Sequence, residues 1–402
     1  MSLYEASVMS IQSLVLTRRF ALRASATEPH KDELEMCLRS YGTNSTSYVL
    51  LEGAKRYFTS PRVNGFIAYQ ISAGVAVIGG DPVCAVADAP ALLADFLAAS
   101  DGRAVCAYLV MPEFLDAFRQ AGFGDVQIGN EAVFNLDRFT LAGGQMELVR
   151  AATNKARREG VRIIEHHPFA PGAGVLNAEL RAVSAEWLRN KNNREMGFLL
   201  GGLGLECRTA KRYFIARSGG GSGRIEGFIV CEPIYGRRGY YLDVTRRRMD
   251  AVRGTMELLT TEIFRTLHAE GYAIASMGLA PLANIDDPDL KRHPRLTRLM
   301  HFAYEHVENS YDFKHLYRYK AKYHPHVWER RYLCFLGRRL SPRVLFATLQ
   351  VRAAFSPREL FRQQQLGPET QDSHAGFSRK VESWKHAASF VIGLCSALLF
   401  SS

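Results

Sequence analysis

The residues whose types and spacing could do chemistry are gathered at the end of one predicted strand. Apolar residues 239–244 indicate a buried strand. The charged residues at its carboxyl end are Asp243, Arg246, Arg247, Arg248 and Asp250. Arginine forms paired hydrogen bonds with phosphate and carboxylate groups, so this cluster predicts a site for an anionic ligand.

The elements around this cluster predict how it is positioned. A helix is expected from about Gly254 to residue 270, with an apolar stripe on one side. The stripe consists of Met256, Leu258, Leu259, Ile263, Phe264 and Leu267. Gly271 ends the helix, and a second buried strand follows at residues 273–279. This order places polar groups at the carboxyl edge of a sheet and beside a helix N-terminus, where anions bind well.

The charge of the chain indicates an anionic partner. The 402 residues carry a net charge of +11, and the pI is about 9.3. Between residues 311 and 343 nine Lys or Arg residues stand against only Asp312 and Glu329. Nucleic acid or an anionic membrane surface would suit this patch, and an ordinary solvated basic face is the alternative.

The cysteines argue against disulfide and zinc chemistry. Their number is seven, and no pair has CxxC spacing. Several lie in apolar runs, which predicts small buried hydrophobic residues in a reducing compartment. Neither a metal nor an organic cofactor is implied.

The length predicts two mixed α/β domains with flanking segments. The expected divisions are an N-terminal extension at 1–31, a first domain at 32–144, a basic linker helix at 145–165, a second domain at 166–360, a flexible linker at 361–386 and an apolar tail at 387–402. In the first domain strands are expected at 48–52, 65–70, 75–78, 105–111 and 126–128. The second domain repeats this order in outline, which makes a duplication plausible.

The N-terminal extension and the C-terminal tail each have two interpretations. The extension is basic enough to pass for an organellar transit segment, but a plain extension is favoured. The tail has 14 uncharged residues from Ala387 to Phe400, fewer than the ~20 that a spanning helix needs. Such a tail either lies in a membrane interface or packs on the protein's own core.

Five segments resemble one known family. They are residues 65–83, 194–202, 240–259, 277–284 and 311–333. Together they are similar to the cytosolic synthase domain of the phosphatidylglycerol lysyltransferase family, also called aminoacyl-phosphatidylglycerol synthases or multiple-peptide-resistance factors (DUF2156). The likeness covers about residues 35–350.

The resemblance implies two tandem acetyltransferase-like (GNAT) domains. It also implies transfer of an amino acid, lysine or another, from aminoacyl-tRNA to the hydroxyl of a membrane lipid such as phosphatidylglycerol. The tRNA would be a co-substrate, and the protein would work at the inner face of the membrane. Full-length members carry a flippase ahead of this domain, so lipid flipping is not expected of this sequence.

The resemblance also assigns roles to particular residues. Asp243, Arg246, Lys322 and Glu305 are the implied catalytic residues, and Arg247, Lys320, Glu308 and Arg331 are the implied substrate-binding residues. The arginines at 246 and 247 would hold a lipid phosphate or the tRNA end. The two lysines would contact the tRNA 3′ end or the developing oxyanion. Glu305, with Glu308 as its rival, would bind the amino group.

Structural interpretations compete with these roles. Asp243 and Arg246 also suit an ion pair, and Lys320 and Lys322 suit a solvated surface. Trp328, Arg331 and Tyr332 suit packing against the last helix. Where the family often has Leu-Met between the acid and the Arg, this sequence has Val244 and Thr245, which leaves the amino acid and the lipid open.

Two other functions compete with aminoacyl transfer. A CoA-dependent acyltransferase of the same fold would need a glycine-rich turn before the helix, yet residues 248–254 contain only Gly254. A non-catalytic protein that binds tRNA or membranes would need no reactive groups, and fold alone does not decide between these functions.

Overall fold

The computed structural model describes residues 29–190, 201–206, 209–283 and 313–352. The strands are β1 (Arg56–Ser60), β2 (Val63–Ser72), β3 (Val75–Gly79), β4 (Ala104–Val110), β5 (Phe123–Asn135), β6 (Arg162–His166), β7 (Arg212–Arg217), β8 (Ile225–Ile234), β9 (Gly239–Arg247), β10 (Ile274–Pro281) and β11 (Val327–Leu336). The helices are α1 (Lys31–Tyr41), α2 (Ala89–Ala99), α3 (Leu115–Gln120), α4 (Glu147–Arg158), α5 (Gly174–Asn190), α6 (Thr255–Ala269), α7 (Phe313–Ala321) and α8 (Pro342–Arg352).

All of these strands belong to one sheet with the order β1-β2-β3-β4-β11-β5-β10-β9-β8-β7-β6. The order is similar on the two sides of the central pair of β11 and β5, with four strands on one side and five on the other. On one side β3 and β4 are parallel and joined through α2, and on the other side β9 and β10 are parallel and joined through α6. The sheet is therefore built from two similar halves, in agreement with the predicted duplication of element order.

The two halves exchange their last strands. Strand β5 follows the first half in sequence but pairs with β10 of the second half. Strand β11 follows the second half but pairs with β4 of the first half. Because β5 and β11 also pair with each other, the sheet continues without interruption between the halves.

Helices cover both faces of each half and bury four apolar cores. In the first half α1 and α8 pack on one face, and α2 and α3 pack on the other. In the second half α4 and α6 bury one face, whereas α5 covers the opposite face. The functional site described below lies on the second half, where the α5 face meets the carboxyl ends of β9 and β10.

The predicted α/β class with a mixed sheet is confirmed, and most predicted elements are found. The expected strand at 48–52 is wrong, because Tyr48–Leu51 forms a buried 3-10 turn beside the core. Helix α4 buries Val149 and Ala156 against the core it shares with α6, so it is more than a linker. The glycine-rich segment 218–223 is the expected hairpin turn between β7 and β8.

Strand β11 was not expected, and it changes the interpretation of Trp328, Arg331 and Tyr332. These residues belong to a central strand and not simply to a surface that packs against the last helix. Because β11 lies between β4 and β5, part of the range 166–360 is built into the first half. The exact domain divisions stay a prediction.

Cys84, Cys106, Cys231 and Cys334 are buried with free thiols, as expected of small hydrophobic residues. In the part of the chain that the structure describes, no helix has the length and apolar character needed to cross a bilayer.

Candidate active site

The parallel strands β9 and β10 separate at their carboxyl ends. They pair at three positions only, the last of which joins Tyr241 to Ser276. Beyond that point β9 continues to Arg247, while β10 bends away to follow β5, with an irregularity between Ser276 and Leu279. We call the region beyond this pair, where β9 and β10 no longer pair with each other, the gap.

Gly278 and Tyr241 shape this gap. Gly278 has a φ of 74°, a conformation that favours glycine. A Cβ atom at this position would lie 2.7 Å from the Tyr241 ring, so the ring packs directly against the β10 backbone. No larger residue would fit there without displacing Tyr241.

Asp243 stands on a β-bulge in β9. Val244 lies opposite Val230, and Leu242 lies opposite Cys231, so Asp243 is an extra residue in the pairing of β8 with β9. As a result Leu242 packs in the core under α6, whereas Val244 packs in the core under α5. Bulges of this kind turn a side chain away from the regular alternation of a strand.

The environment of Asp243 suits proton transfer near neutral pH. The Gly201 N–H donates a hydrogen bond to its Oδ2 at 2.7 Å. Burial raises the pKa of Asp243 to about 6, although the nearby Lys211 charge and the bond from Gly201 oppose this rise. A carboxylate with such a pKa is still ionised at pH 7 and is a stronger base than an ordinary aspartate.

Lys211 lies at the centre of a group of acidic residues beside Asp243. Its Nζ is 2.6 Å from Oε1 of Glu52 and 2.9 Å from Oε1 of Glu232, and it donates to the Gly202 carbonyl at 2.8 Å. The side chains of Lys211 and Glu232 are both 0% exposed. Burial, aided by the charge of Asp243, raises the pKa of Glu232 to about 8.

Sequence reasoning missed Glu52, Lys211 and Glu232. One signal was present, because Glu232 ends the apolar run 227–231 and an acid in such a run is rarely buried without a partner. The partner, Lys211, stands 21 positions earlier in the chain, and Glu52 comes from the other half. Their proximity depends on the register of the sheet and on the contact between the halves.

Lys320 enters the gap from α7. Its Nζ donates to the carbonyls of Gly278 at 2.9 Å and Leu279 at 2.6 Å. The residue is 5% exposed, so it is not part of a solvated surface. Burial lowers the pKa of Lys320 to about 7, against the opposing effect of Glu131.

Lys322 directly follows α7, and its side chain reaches the first turn of α6. Its Nζ pairs with Oε1 of Glu257 in the first turn of that helix and lies 4.1 Å from the centre of the Tyr319 ring. With 28% of its side chain exposed, Lys322 is more accessible than Lys320. Lys320 and Lys322 therefore have different environments.

The three arginines after Asp243 have different contacts. The Arg246 guanidinium stacks over Trp187 of α5 at 4.2 Å from the ring centre. Arg247 is exposed, and its guanidinium donates to the Arg248 carbonyl. Arg248 pairs with Glu186 of α5 at 2.9 Å, which fixes the loop to that helix. Of the three, the exposed Arg247 has the most open position toward solvent.

Arg331 is fully buried in the sheet. Its guanidinium is 2.6 Å from Glu131 and 3.0 Å from Glu329, and Glu131 also accepts a hydrogen bond from Ser276. These contacts connect β11, β5 and β10. The substrate-binding role implied for Arg331 stays a prediction, and the observed contacts are structural.

Glu305 and Glu308 lie outside the described residues, so their implied roles also stay predictions. Among the residues that are described, no group of three His, Cys, Asp or Glu side chains is arranged to hold a metal ion. The groups brought together around Asp243 are Tyr241, Lys211, Glu52 and Glu232. Lys320 lies on the β10 side, against the carbonyls of Gly278 and Leu279.

Comparison with known proteins identifies the family. Residues 36–335 match the family described as phosphatidylglycerol lysyltransferase, C-terminal. This range covers well over half of the 402 residues, and the chain belongs to that family. The resemblance drawn from the five sequence segments is thereby confirmed.

Two solved structures share the fold. The structure of L-PGS from Bacillus licheniformis is 30% identical, with a TM-score of 0.68, and the alignment covers 82% of this chain and 97% of that chain. The C-terminal domain (DUF2156) of a putative lysylphosphatidylglycerol synthetase from Agrobacterium fabrum is 24% identical, with a TM-score of 0.68 and coverage of 81% and 98%. The predicted fold class is confirmed by both.

Curated relatives are longer than this chain. It is 29% identical to the phosphatidylglycerol lysyltransferase of Bacillus subtilis (strain 168), over 76% of this chain and 35% of that protein. It is also 29% identical to the lysylphosphatidylglycerol biosynthesis bifunctional protein LysX of Gordonia bronchialis, over 76% of this chain and 27% of that protein. The chain thus spans about a third or less of these relatives.

Proposed function

We propose that this protein is an aminoacyltransferase that moves an amino acid from aminoacyl-tRNA to the hydroxyl of a membrane lipid such as phosphatidylglycerol. The observation that carries the proposal is Asp243, a basic carboxylate on a bulge beside the gap between β9 and β10. Membership of the family supplies the reaction class, and the relatives named phosphatidylglycerol lysyltransferase suggest the lipid and lysine.

The reaction is an ester exchange at an activated carbonyl. The lipid hydroxyl oxygen attacks the carbonyl carbon of the aminoacyl ester, and its proton passes to Asp243. The bond between that carbon and the tRNA ribose oxygen then breaks. The ribose oxygen takes up the proton from Asp243, so the carboxylate is restored at the end of the cycle.

Lys320 is suited to stabilise the oxyanion that forms on the carbonyl oxygen. An ammonium group has three donors, and two of them bond to the carbonyls of Gly278 and Leu279. These bonds fix the position of Nζ and leave a third donor for the substrate. A charged donor held in a buried site stabilises developing charge more than it would in water.

The basic residues around the gap supply binding sites for two anionic substrates. Arg246 and Arg247 suit the lipid phosphate or the phosphates at the tRNA end. Lys322, beside Glu257, and the basic patch at 311–343 suit the tRNA backbone. Glu305 or Glu308 would bind the amino group. In this arrangement the protein works at the inner face of the membrane.

The loop before α6 does not favour a CoA-dependent reaction. Such a reaction needs free backbone amides for the pyrophosphate. Here the Met249 and Val252 amides donate to the carboxylates of Glu186 and Glu226. Two amides of this loop are therefore already bonded to carboxylates and are not free for a pyrophosphate.

A labelling experiment tests the proposal. The purified chain is incubated with phosphatidylglycerol vesicles and a mixture of labelled aminoacyl-tRNAs or, separately, labelled acyl-CoA. Label that enters the lipid from aminoacyl-tRNA, and that ribonuclease abolishes, is the expected result. Label from acyl-CoA alone, or salt-sensitive tRNA binding without any lipid product, would contradict the proposal in favour of the other two functions.

A further inference from the structure

The site in the second half includes a side chain from the first half. Glu52 follows the 3-10 turn Tyr48–Leu51, which packs against the second half. The Ala210 N–H donates to the Tyr48 hydroxyl at 2.8 Å, and the Gly202 N–H donates to Glu52 Oε2 at 3.2 Å. Together with the 2.6 Å contact between Glu52 and Lys211, these bonds hold Glu52 in place from the opposite half.

The polar atoms of the cluster converge on Gly201. A Cβ atom at this position would lie 2.2 Å from Oε1 of Glu232, 2.5 Å from Oδ2 of Asp243 and 2.9 Å from Nζ of Lys211. The two carboxylates and the ammonium therefore surround a single backbone position. Because the Gly201 N–H also donates to Asp243, the orientation of that carboxylate depends on the same packing.

The charges of the cluster are not balanced. Three carboxylates, on Glu52, Glu232 and Asp243, share the buried ammonium of Lys211. Among the described residues Oε2 of Glu232 is buried without a hydrogen-bond partner, although the side chain is 0% exposed. A buried carboxylate in this situation retains a proton more readily than one in water. The charge on Lys211, together with that of the nearby Lys55, thus affects which of the carboxyl groups is ionised.

We propose that Lys211 and Glu52 are positioning residues: Lys211 keeps Asp243 ionised for proton transfer, and Glu52, from the first half, holds Lys211 and the Gly202 backbone in place and sets how strongly Lys211 acts on Asp243. The role of Asp243 in this proposal rests on the proposed function. The first half is then part of the active site. Lys211 acts on Asp243 by opposite charge, and Glu52 limits that action by neutralising Lys211 and adding negative charge of its own.

Several charged or titratable groups near Asp243 bear on its ionisation. Among the residues that the structure describes they include Glu52 and Lys55 after the 3-10 turn, Lys211 before β7, Cys231 and Glu232 on β8 and Tyr241 on β9. Lys211 lowers the pKa of Asp243, and Glu52 raises it. Neutralising Lys211 must therefore raise the pKa of Asp243, and neutralising Glu52 must lower it.

The test is a carbon-13 NMR titration of the Asp243 carboxyl in protein labelled selectively at aspartate, with Asp243→Asn to assign the signal. Lys211→Met is expected to raise the pKa of Asp243 by about one pH unit or more, and Glu52→Gln is expected to lower it. Glu113→Gln and Lys155→Met, which change exposed residues elsewhere, are expected to leave it unchanged.

An unchanged pKa in Glu52→Gln, or changes of the same sign in Glu52→Gln and Lys211→Met, would overturn the proposal. If Lys211→Met does not fold, Glu52→Gln decides alone, because glutamine keeps the shape of glutamate and can still accept from Lys211 and Gly202. The titration does not depend on turnover. Opposite changes in a protein without aminoacyl transfer would therefore refute the proposed function and leave the coupling established.

When transfer activity is measured as well, its acid limb is expected to follow the pKa that NMR gives for Asp243. At pH values below the limb, raising that pKa from 6 to about 7 would slow transfer about tenfold, because a tenth as much of the carboxylate would be ionised. A loss of rate that is equal at every pH would show that the two residues only support the fold, and it would contradict the positioning role.

Discussion

At the scale of single residues, burial moves the pKa values of two groups in opposite directions toward neutral pH. It raises the pKa of Asp243 to about 6 and lowers the pKa of Lys320 to about 7. Tyr241 is close to both, because it faces Asp243 and its ring packs against Gly278, the residue whose carbonyl accepts from Lys320. A base and a charged donor are thus placed on the two sides of one gap.

The pH dependence of transfer follows from these two groups. The rate is expected to rise as Asp243 ionises through about pH 6 and to fall as Lys320 loses its proton through about pH 7. In Lys320→Arg the falling limb is expected to move to higher pH, because a guanidinium stays charged throughout this range. Initial rates measured from about pH 5 to about pH 9 would check this.

A falling limb that stays in place in the Lys320→Arg variant would contradict the role of Lys320. Lys155→Arg, a change on the exposed side of α4, is the matched control. It is expected to keep the wild-type profile.

At the scale of elements, the β-bulge and the segment at Gly201 together position Asp243. Gly201→Ala is expected to push the Asp243 and Glu232 carboxylates apart and to lower the transfer rate about 100-fold. Gly202→Ala is the matched control, because a Cβ atom there has nothing within 4 Å. Rates and circular dichroism of both variants would be compared, and equal rates would contradict the assignment.

The buried ion pairs of β11 are expected to contribute to the stability of the fold. Arg331→Met leaves Glu131 buried without its cation, so the free energy of unfolding is expected to fall by about 3–5 kcal/mol. The exposed neighbour Arg330 provides a control, since Arg330→Met is expected to change the free energy of unfolding by less than about 0.5 kcal/mol. Urea unfolding would measure both, and similar losses in both variants would show that the buried pairs contribute little.

Local patterns in the sequence predicted most of these elements, and long-range pairing explains those that were missed. Helix α6 and strands β8, β9 and β10 follow from apolar periodicity and glycine signals. Strand β11 was missed because its residues 327–331 are largely charged or polar. They are accommodated there by Arg237, Glu131 and other groups that are distant in sequence.

The same limit applies to the candidate site. Asp243 and the arginines after it were found from their position after an apolar strand and from the family resemblance. The bulge that turns Asp243, the burial of Lys320 and the Glu52–Lys211–Glu232 group depend on register and on contacts between the halves. Patterns within a single segment do not contain that information.

At the scale of the whole molecule, the net charge of +11 and the shared sheet suit a protein that holds a large polyanion beside a buried site. The logarithm of the tRNA binding constant is expected to fall linearly with the logarithm of the salt concentration. Arg318→Ala, on the exposed side of α7, is expected to reduce this slope by about one, the change that corresponds to the loss of one phosphate contact.

Fluorescence titrations with labelled tRNA at several salt concentrations would measure this slope. Arg62→Ala is the matched control, because Arg62 lies in the turn between β1 and β2 at the far edge of the sheet and pairs with Asp95. A slope that changes equally in both variants would argue against a tRNA surface near α7.

The most direct test of the central claim compares Asp243→Asn with Asp116→Asn in transfer of labelled amino acid from aminoacyl-tRNA to phosphatidylglycerol vesicles. Asp116 is an exposed aspartate in the first half, so its variant is expected to retain the wild-type rate. Asp243→Asn is expected to keep the fold and to lose activity by about 10²–10⁴-fold. A folded Asp243→Asn protein that transfers at the wild-type rate would contradict the assignment of Asp243 as the base.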